Sequence, residues 1–188
     1  DEYAEGDLFL GIPGPELRKL AKEYYTLPLA ESVTLLASPF HEERFVALVI
    51  LMHLYVKGND EEQSAVYNVY VGKARFINNW DLIDISAPHI VGAYLWKRSK
   101  QPLSTFAMSP SLWERRIAII ATFYFIRQGC YDGTLKIAKM LLNDAEDLIH
   151  KAVGWMLREI GKRSFAAEEE FLRRHYKTMP RTMLRYAI

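Results

Sequence analysis

Cysteine is almost absent. Of the 188 residues only Cys130 carries a thiol, which excludes a disulfide framework. A reducing cytoplasm is the natural setting for such a chain. Cys130 lies in the turn-like run Gln128-Gly129-Cys130-Tyr131-Asp132-Gly133 and reads as a plain structural thiol rather than a nucleophile. Long apolar runs are missing too: no stretch of about 18 consecutive apolar residues exists, so no membrane-spanning helix is expected. The first residues, Asp1 to Asp7, are acidic and lack the basic-then-apolar pattern of a secretory leader. The start is abrupt, and residues upstream of it are expected. The five histidines, His41, His53, His89, His150 and His175, show no metal-ligand spacing. No glycine-rich phosphate loop occurs, so nucleotide hydrolysis has no visible machinery. Neither a metal nor any other cofactor is expected.

What is present suits a packed domain. Half of the residues are apolar, 13% are aromatic, and no segment is low in complexity. We expect one domain over residues 1–188, since no linker divides it. The net charge of +1 conceals an asymmetry. Residues 1–84 hold 7 Lys/Arg and 14 Asp/Glu, a net of −7, while residues 85–188 hold 17 and 9, a net of +8. A basic half can bind a polyanion, and nucleic acid is the commonest large one. The alternative is that these charges are the solvated outer faces of helices.

Helix signals dominate. Pro15 sits at the first turn of an amphipathic run through Tyr24. Ser38-Pro39 opens a second helix with Phe45, Leu48, Val49 and Met52 on one stripe. Ser109-Pro110 opens another with Ile117, Ile120, Ala121 and Tyr124 on its stripe. Asn143-Asp144 is expected to cap a further helix carrying Ala152, Trp155 and Met156. No alternating runs bounded by hairpin turns appear, so strands are not expected. The starts repeat. Ser38 through Ala47 parallels Ser109 through Ala118, which makes Arg44 and Arg115 equivalent, with Asp84 and Ile149 at the same place in two further repeats. Asn78 through Ala87 and Asn143 through Ala152 share a cap-to-alanine separation of nine. Starts at 38, 78, 109 and 143 are spaced by 40, 31 and 34 residues, with shorter amphipathic segments between them (Asp60–Val71 and Gly133–Leu142). One helix pair per 30–40 residues is the signature of an α-solenoid of HEAT-like repeats.

Stacked repeats align equivalent helices, and their exposed residues line one surface. Asn78-Asn79-Trp80-Asp81-Leu82-Ile83-Asp84 is the most unusual segment. Trp80 and Asp84, at i and i+4, share a helix face. A carboxylate beside an aromatic ring can stabilise a cation, including a sugar oxocarbenium ion in glycosidic cleavage. Equally, Trp80 could be core and Asp81 or Asp84 a local cap or ion pair. Arg115-Arg116 places two arginines at a helix start; one could grip a phosphate bidentately, or pair with Glu114 or an acidic neighbour. Gly154 inside a helix costs about 1 kcal/mol relative to alanine. It implies either close helix approach or space for a ligand beside Trp155, and a core tryptophan is the alternative there.

Four segments together resemble a known family. Gly-Ile-Pro-Gly-Pro-Glu-Leu-Arg at 11–18, Asn-Asn-Trp-Asp-Leu-Ile-Asp at 78–84, Leu-Trp-Glu-Arg-Arg-Ile-Ala at 112–118 and His-Lys-Ala-Val-Gly-Trp-Met-Leu-Arg-Glu at 150–159 look like DNA alkylation repair enzymes of the AlkD type. The resemblance covers nearly the whole chain. It implies an all-α, right-handed solenoid of HEAT-like pairs whose concave basic face holds duplex DNA. It implies an N-glycosylase that removes purines made cationic by alkylation at N3 or N7, leaving the base largely stacked rather than flipped. The family's catalytic aspartate matches Asp84, its sugar-flanking tryptophans match Trp80 and Trp155, and its cleft arginine matches Arg116. Tyr3 lies where the family uses a tyrosine near the N-terminus. Arg115, Lys151 and Arg158, on the matching helices, are further candidates for the DNA backbone. A monomer acting on duplex DNA, without a membrane partner, is the expectation. Two other functions stand beside it: a non-catalytic DNA-binding solenoid, and a scaffold that presents its concave surface to peptides.

Overall fold

The computed structural model describes residues 6–188. The described residues are helical, apart from turns and one isolated parallel bridge between Leu8 and Phe40. None of these helices is long and apolar enough to cross a membrane. The chain forms two compact units, residues 1–86 and residues 87–188. Tyr3 lies outside the described residues.

The first unit is organised around α3 (His41–Lys57). Every residue from Arg44 to Leu51 on this helix is buried. A helix apolar nearly all round belongs inside, and α1 (Gly14–Glu23), α2 (Leu29–Leu36) and α4 (Asp60–Gly72) all pack on it. Pro15 falls in the first turn of α1, where its missing N–H has no partner to lose. Asn59 and Glu62 close a reciprocal cap at the start of α4. A short 3₁₀ turn (Ala74–Phe76) then leads to α5 (Trp80–Ala87). The segment before α1 is held mainly through peptide groups. Leu8 N–H donates to Pro39 O at 3.2 Å, and His41 N–H donates to Leu8 O at 2.8 Å. The amides of Leu10 and Gly11 donate to the two oxygens of Glu42, at 2.9 and 2.8 Å.

The second unit starts with a π-helical stretch, Pro88–Gly92, followed by α6 (Ala93–Leu95). Pro88 cannot donate to an α-helical ladder, and the wider turn accommodates that loss. Helices α7 (Gln101–Ala107), α8 (Leu112–Ala121), α9 (Phe123–Arg127) and α10 (Asp132–Met140) follow. They lead into α11 (Asp147–Gly161), which packs against α8, α12 (Phe165–His175) and α13 (Arg181–Ala187). Gly154 marks the close approach of α11 to α13. A Cβ there would collide with the Met183 carbonyl and would lie 2.5 Å from the Tyr186 Cβ. Of the two explanations for this glycine, helix approach is the one realised.

Three helix starts differ from expectation. The Ser-Pro pairs precede their helices rather than open them. Ser38 Oγ accepts from Phe40 N and Ser109 Oγ accepts from Ser111 N, at 3.1 and 3.0 Å, and helix begins only at His41 and Leu112. The residue before a proline is biased away from helical geometry, and the serines cap turns instead. Likewise Asn143-Asp144 does not cap α11, whose N-cap is Glu146. Asp144 accepts from Glu146 N at 3.0 Å and is otherwise claimed by Arg115.

Candidate functional site

In the first unit, α5 carries the Asn-Asn-Trp-Asp-Leu-Ile-Asp motif. Its apolar residues Leu82 and Ile83 are fully buried, which fixes the rotation of this short helix. Trp80 is left 47% exposed, a large apolar side chain in water at the helix start, and Asp84 one turn on is half-buried. The core alternative for Trp80 is therefore set aside. Beneath the helix, the buried Tyr70 hydroxyl lies 2.9 Å from Ser86 Oγ. Burial, assisted by the nearby charge of Asp84, holds that phenol above its ordinary pKa despite the Ser86 hydrogen bond. Tyr70 is thus a neutral support for α5.

Asn79 Oδ1 accepts from Trp80 N at 2.8 Å, and two further polar residues of the motif, Asn78 and Asp81, meet a largely buried cluster. His41 Nε2 lies 2.8 Å from Asp81 Oδ2, and His41 Nδ1 lies 3.4 Å from Asp7 Oδ2. Arg44 Nη2 pairs with the same Asp7 oxygen at 2.7 Å, and Asn78 Nδ2 donates to Asp7 Oδ1 at 3.2 Å. Sequence reasoning noted His41 only as one of five unclustered histidines. Its partners come from residues 7 and 81, and no local pattern could have revealed them.

In the second unit the two expected arginines differ. Arg115 is engaged internally: Nε pairs with Asp144 at 2.7 Å, and Nη1 donates to the carbonyls of Ser109 and Pro110 at 3.0 and 2.9 Å. The ion-pair alternative weighed for this residue is the arrangement found. Arg116 is 4% exposed, and its Nη1 donates to the Leu148 carbonyl at 2.6 Å in the first turn of α11. On α11, Lys151 pairs with Asp147 at 2.6 Å, which holds that carboxyl below the usual carboxylate range. Exposed Arg158 donates to the Ile188 carbonyl at 2.8 Å.

Trp155, half-buried, meets the ring of Phe123 with centroids 5.7 Å apart. Around Phe123 lies a group that the sequence reading missed. The Arg127 guanidinium sits 5.2 Å from the Phe123 centroid and 5.9 Å from that of Tyr124. The Arg163 guanidinium sits 5.8 Å from Phe123 and is fixed by Glu159 at 2.8 Å. Arg127 is exposed and makes no ion pair with the described residues. Cation–π contact holds such a guanidinium flat while leaving its N–H groups free to donate outward. The signal that could have found this group is the spacing Phe123–Arg127, one helical turn.

A cavity of about 670 Å³ in the first unit is lined mainly by apolar residues such as Leu17, Leu20, Tyr24 and Val46, and includes none of the expected site residues. Among the described residues no grouping of three or more His, Cys, Asp or Glu could hold a metal ion.

A helical chain with an exposed tryptophan and an aspartate on one helix face, and a stacked arginine–aromatic group on another unit, fits a protein that handles nucleic acid. The sequence pattern of DNA alkylation repair enzymes matches residues 2–188, and the chain belongs to that family. Among solved structures it is similar to a predicted DNA alkylation repair enzyme from Enterococcus faecalis, at 23% identity and a TM-score of 0.75. That match covers 99% of this chain and 89% of the other. At this identity it supports the fold. No protein of curated function matches the sequence.

Proposed function

We propose that this protein is a DNA N-glycosylase that excises purines made cationic by alkylation at N3 or N7 from duplex DNA, and that its helix pairs are HEAT-like repeats. The observation that carries the reading is Trp80 and Asp84 on one face of α5, with the indole exposed and the carboxylate half-buried. In the proposed reaction the bond between C1′ and the purine nitrogen breaks. Its electron pair leaves with the base and neutralises the base's positive charge. Positive charge develops on the deoxyribose, water adds at C1′, and a proton passes to solvent. A leaving group that is already cationic needs no general acid, so one carboxylate suffices. Asp84 stabilises the oxocarbenium-like transition state, and Trp80 offers its π face to the same sugar.

Trp155 takes a second sugar contact in this reading. Arg115 and Arg116 shape α8 and the start of α11, while exposed Arg127, Arg158 and Arg163, with half-buried Lys151, supply positive charge for phosphates. The test is incubation with duplex DNA containing 7-methylguanine, followed by a count of released base. Release by the intact protein is expected; salt-sensitive binding without release would leave a DNA-binding module instead.

A further inference from the structure

We infer that His41 is a positioning residue for the Trp80–Asp84 helix: by bridging Asp7 and Asp81 as an imidazolium, it locks the first turn of α5 onto α3. The importance of this lock for base excision rests on the glycosylase reading; its hold on Trp80 does not.

The geometry leaves few alternatives for the ring. Both nitrogens face carboxylate oxygens, Asp81 at 2.8 Å and Asp7 at 3.4 Å. A neutral imidazole can turn a bare lone pair towards one of these carboxylates; the imidazolium donates from Nε2 to Asp81 and sets its charge beside Asp7, whose 3.4 Å approach is an ion pair without a hydrogen bond. Charge counting agrees. The cluster holds two carboxylates, Asp7 and Asp81, against Arg44, so it is neutral only when His41 carries a proton. The His41, Arg44 and Asp7 side chains are buried, Asp7 being only 2% exposed, while Asp81 is partly open to solvent at 30%; an uncompensated charge on the buried side would be costly. The groups around the ring come from each element packed against it. They are Asp7 and the stacked Phe9 ring from the N-terminal segment, Arg44 from α3 itself and Asp81 from α5. The neighbouring Glu42 carboxylate is turned to the amides of Leu10 and Gly11. The balance follows: burial, the largest single influence, opposes the charge, and so does Arg44. The hydrogen bond and charge of Asp81, with the nearby Asp7 carboxylate, outweigh them and raise the pKa above the ordinary histidine value of 6.5.

The consequence for α5 lies in the spacing of the motif. Asn78 and Asp81 are gripped by the cluster, while the indole of Trp80 between them in sequence is exposed. Loss of the His41 proton leaves two carboxylates against a single arginine and loosens the turn that aims the indole.

The experiment follows the Trp80 indole by 1H–15N NMR between about pH 5 and 9, in the wild type and in His41→Gln. Trp80→Phe assigns the resonance. The wild-type Trp80 signal should move with a midpoint above 6.5, and the movement should vanish in His41→Gln. A Trp80 signal that stays flat while His41 titrates, or that moves identically in the variant, overturns the proposal. If His41→Gln does not fold, Asp81→Asn replaces it, with the same loss of movement expected. On 7-methylguanine DNA, His41→Gln should release base about 10- to 100-fold more slowly, as displaced catalytic groups do, with DNA affinity unchanged. A variant with the wild-type rate at every pH overturns the catalytic part. A wild type that releases no base defeats the glycosylase reading alone, and the indole titration still decides the lock.

Discussion

Arg44 and Arg115 make the same clamp in different parts of the chain. Each donates from Nη1 to both carbonyls of the Ser-Pro pair that begins six residues earlier: Ser38 and Pro39 at 3.0 and 3.3 Å, Ser109 and Pro110 at 3.0 and 2.9 Å. Each also pairs with a distant aspartate at 2.7 Å, Asp7 for Arg44 and Asp144 for Arg115. The repeat legible in the sequence is thus matched by a repeated hydrogen-bond pattern, and both arginines are structural. Arg115→Ala strips its partner Asp144, whose side chain is 6% exposed, of its counter-charge. It should cost about 3 kcal/mol in urea unfolding. Arg115→Lys should recover little, because one ammonium cannot span a carboxylate and two carbonyls. Unchanged stability in Arg115→Ala would contradict the clamp.

Asp84→Asn keeps the shape of α5 and removes its charge. Single-turnover release of 7-methylguanine should slow by about 100- to 1000-fold, the usual cost of one electrostatic contact made in the transition state. DNA binding should stay the same or tighten slightly, since a repulsion of phosphate is lost. A wild-type excision rate in this variant would remove Asp84 from the chemistry.

Arg127→Ala tests the stacked group around Phe123. Affinity for any duplex sequence should drop, and the dependence of log affinity on log salt should shallow by about one unit. An unaltered salt slope would place Arg127 away from the phosphates.

Gly154→Ala would ordinarily favour a helix. Here the added methyl meets the Met183 carbonyl and the Tyr186 Cβ, backbone and near-backbone atoms that cannot swing aside. A loss of about 2 kcal/mol or more is expected by thermal or chemical unfolding. A gain would mean that α13 yields freely.

Glu168 offers a pH test. The residue is 8% exposed, and its Oε1 is buried without a hydrogen-bond partner among the described residues. Burial raises its pKa from 4.5 against the opposing charge of Arg158. An acid with a raised folded-state pKa destabilises the fold above that pKa, and the penalty disappears as pH falls towards 4.5. Glu168→Gln should therefore stabilise the protein at neutral pH and lose its advantage in acid. Equal stability of the two proteins at pH 7 would refute this.

The sequence revealed what local rules control. Proline in the first turn of α1 and the buried apolar residues Phe45, Leu48 and Val49 of α3 and Ile117, Ile120 and Ala121 of α8 read correctly, because each depends on neighbours within a few residues. Trp80 and Asp84 share a face for the same reason. The remainder depended on distant partners. Asp144 looked like a helix cap because Asn-Asp before an apolar run usually is one, but Arg115 claims its carboxylate. Arg116 looked available at a helix start, whereas the Leu148 carbonyl on α11 draws it inward. The Phe123 group escaped notice because α9 and α11 must meet before Arg127, Arg163 and Trp155 gather round one ring.

The seam between residues 8–11 and α3 recognises peptide groups. Glu42 holds the amides of Leu10 and Gly11, and Leu8 exchanges backbone hydrogen bonds with Pro39 and His41, while the side chains of Leu8 and Leu10 remain half in water. Such a seam makes few demands on the side chain at position 8, whereas Leu10 also lines the apolar cavity of the first unit, and position 42 tolerates only a side chain able to accept two amides at once.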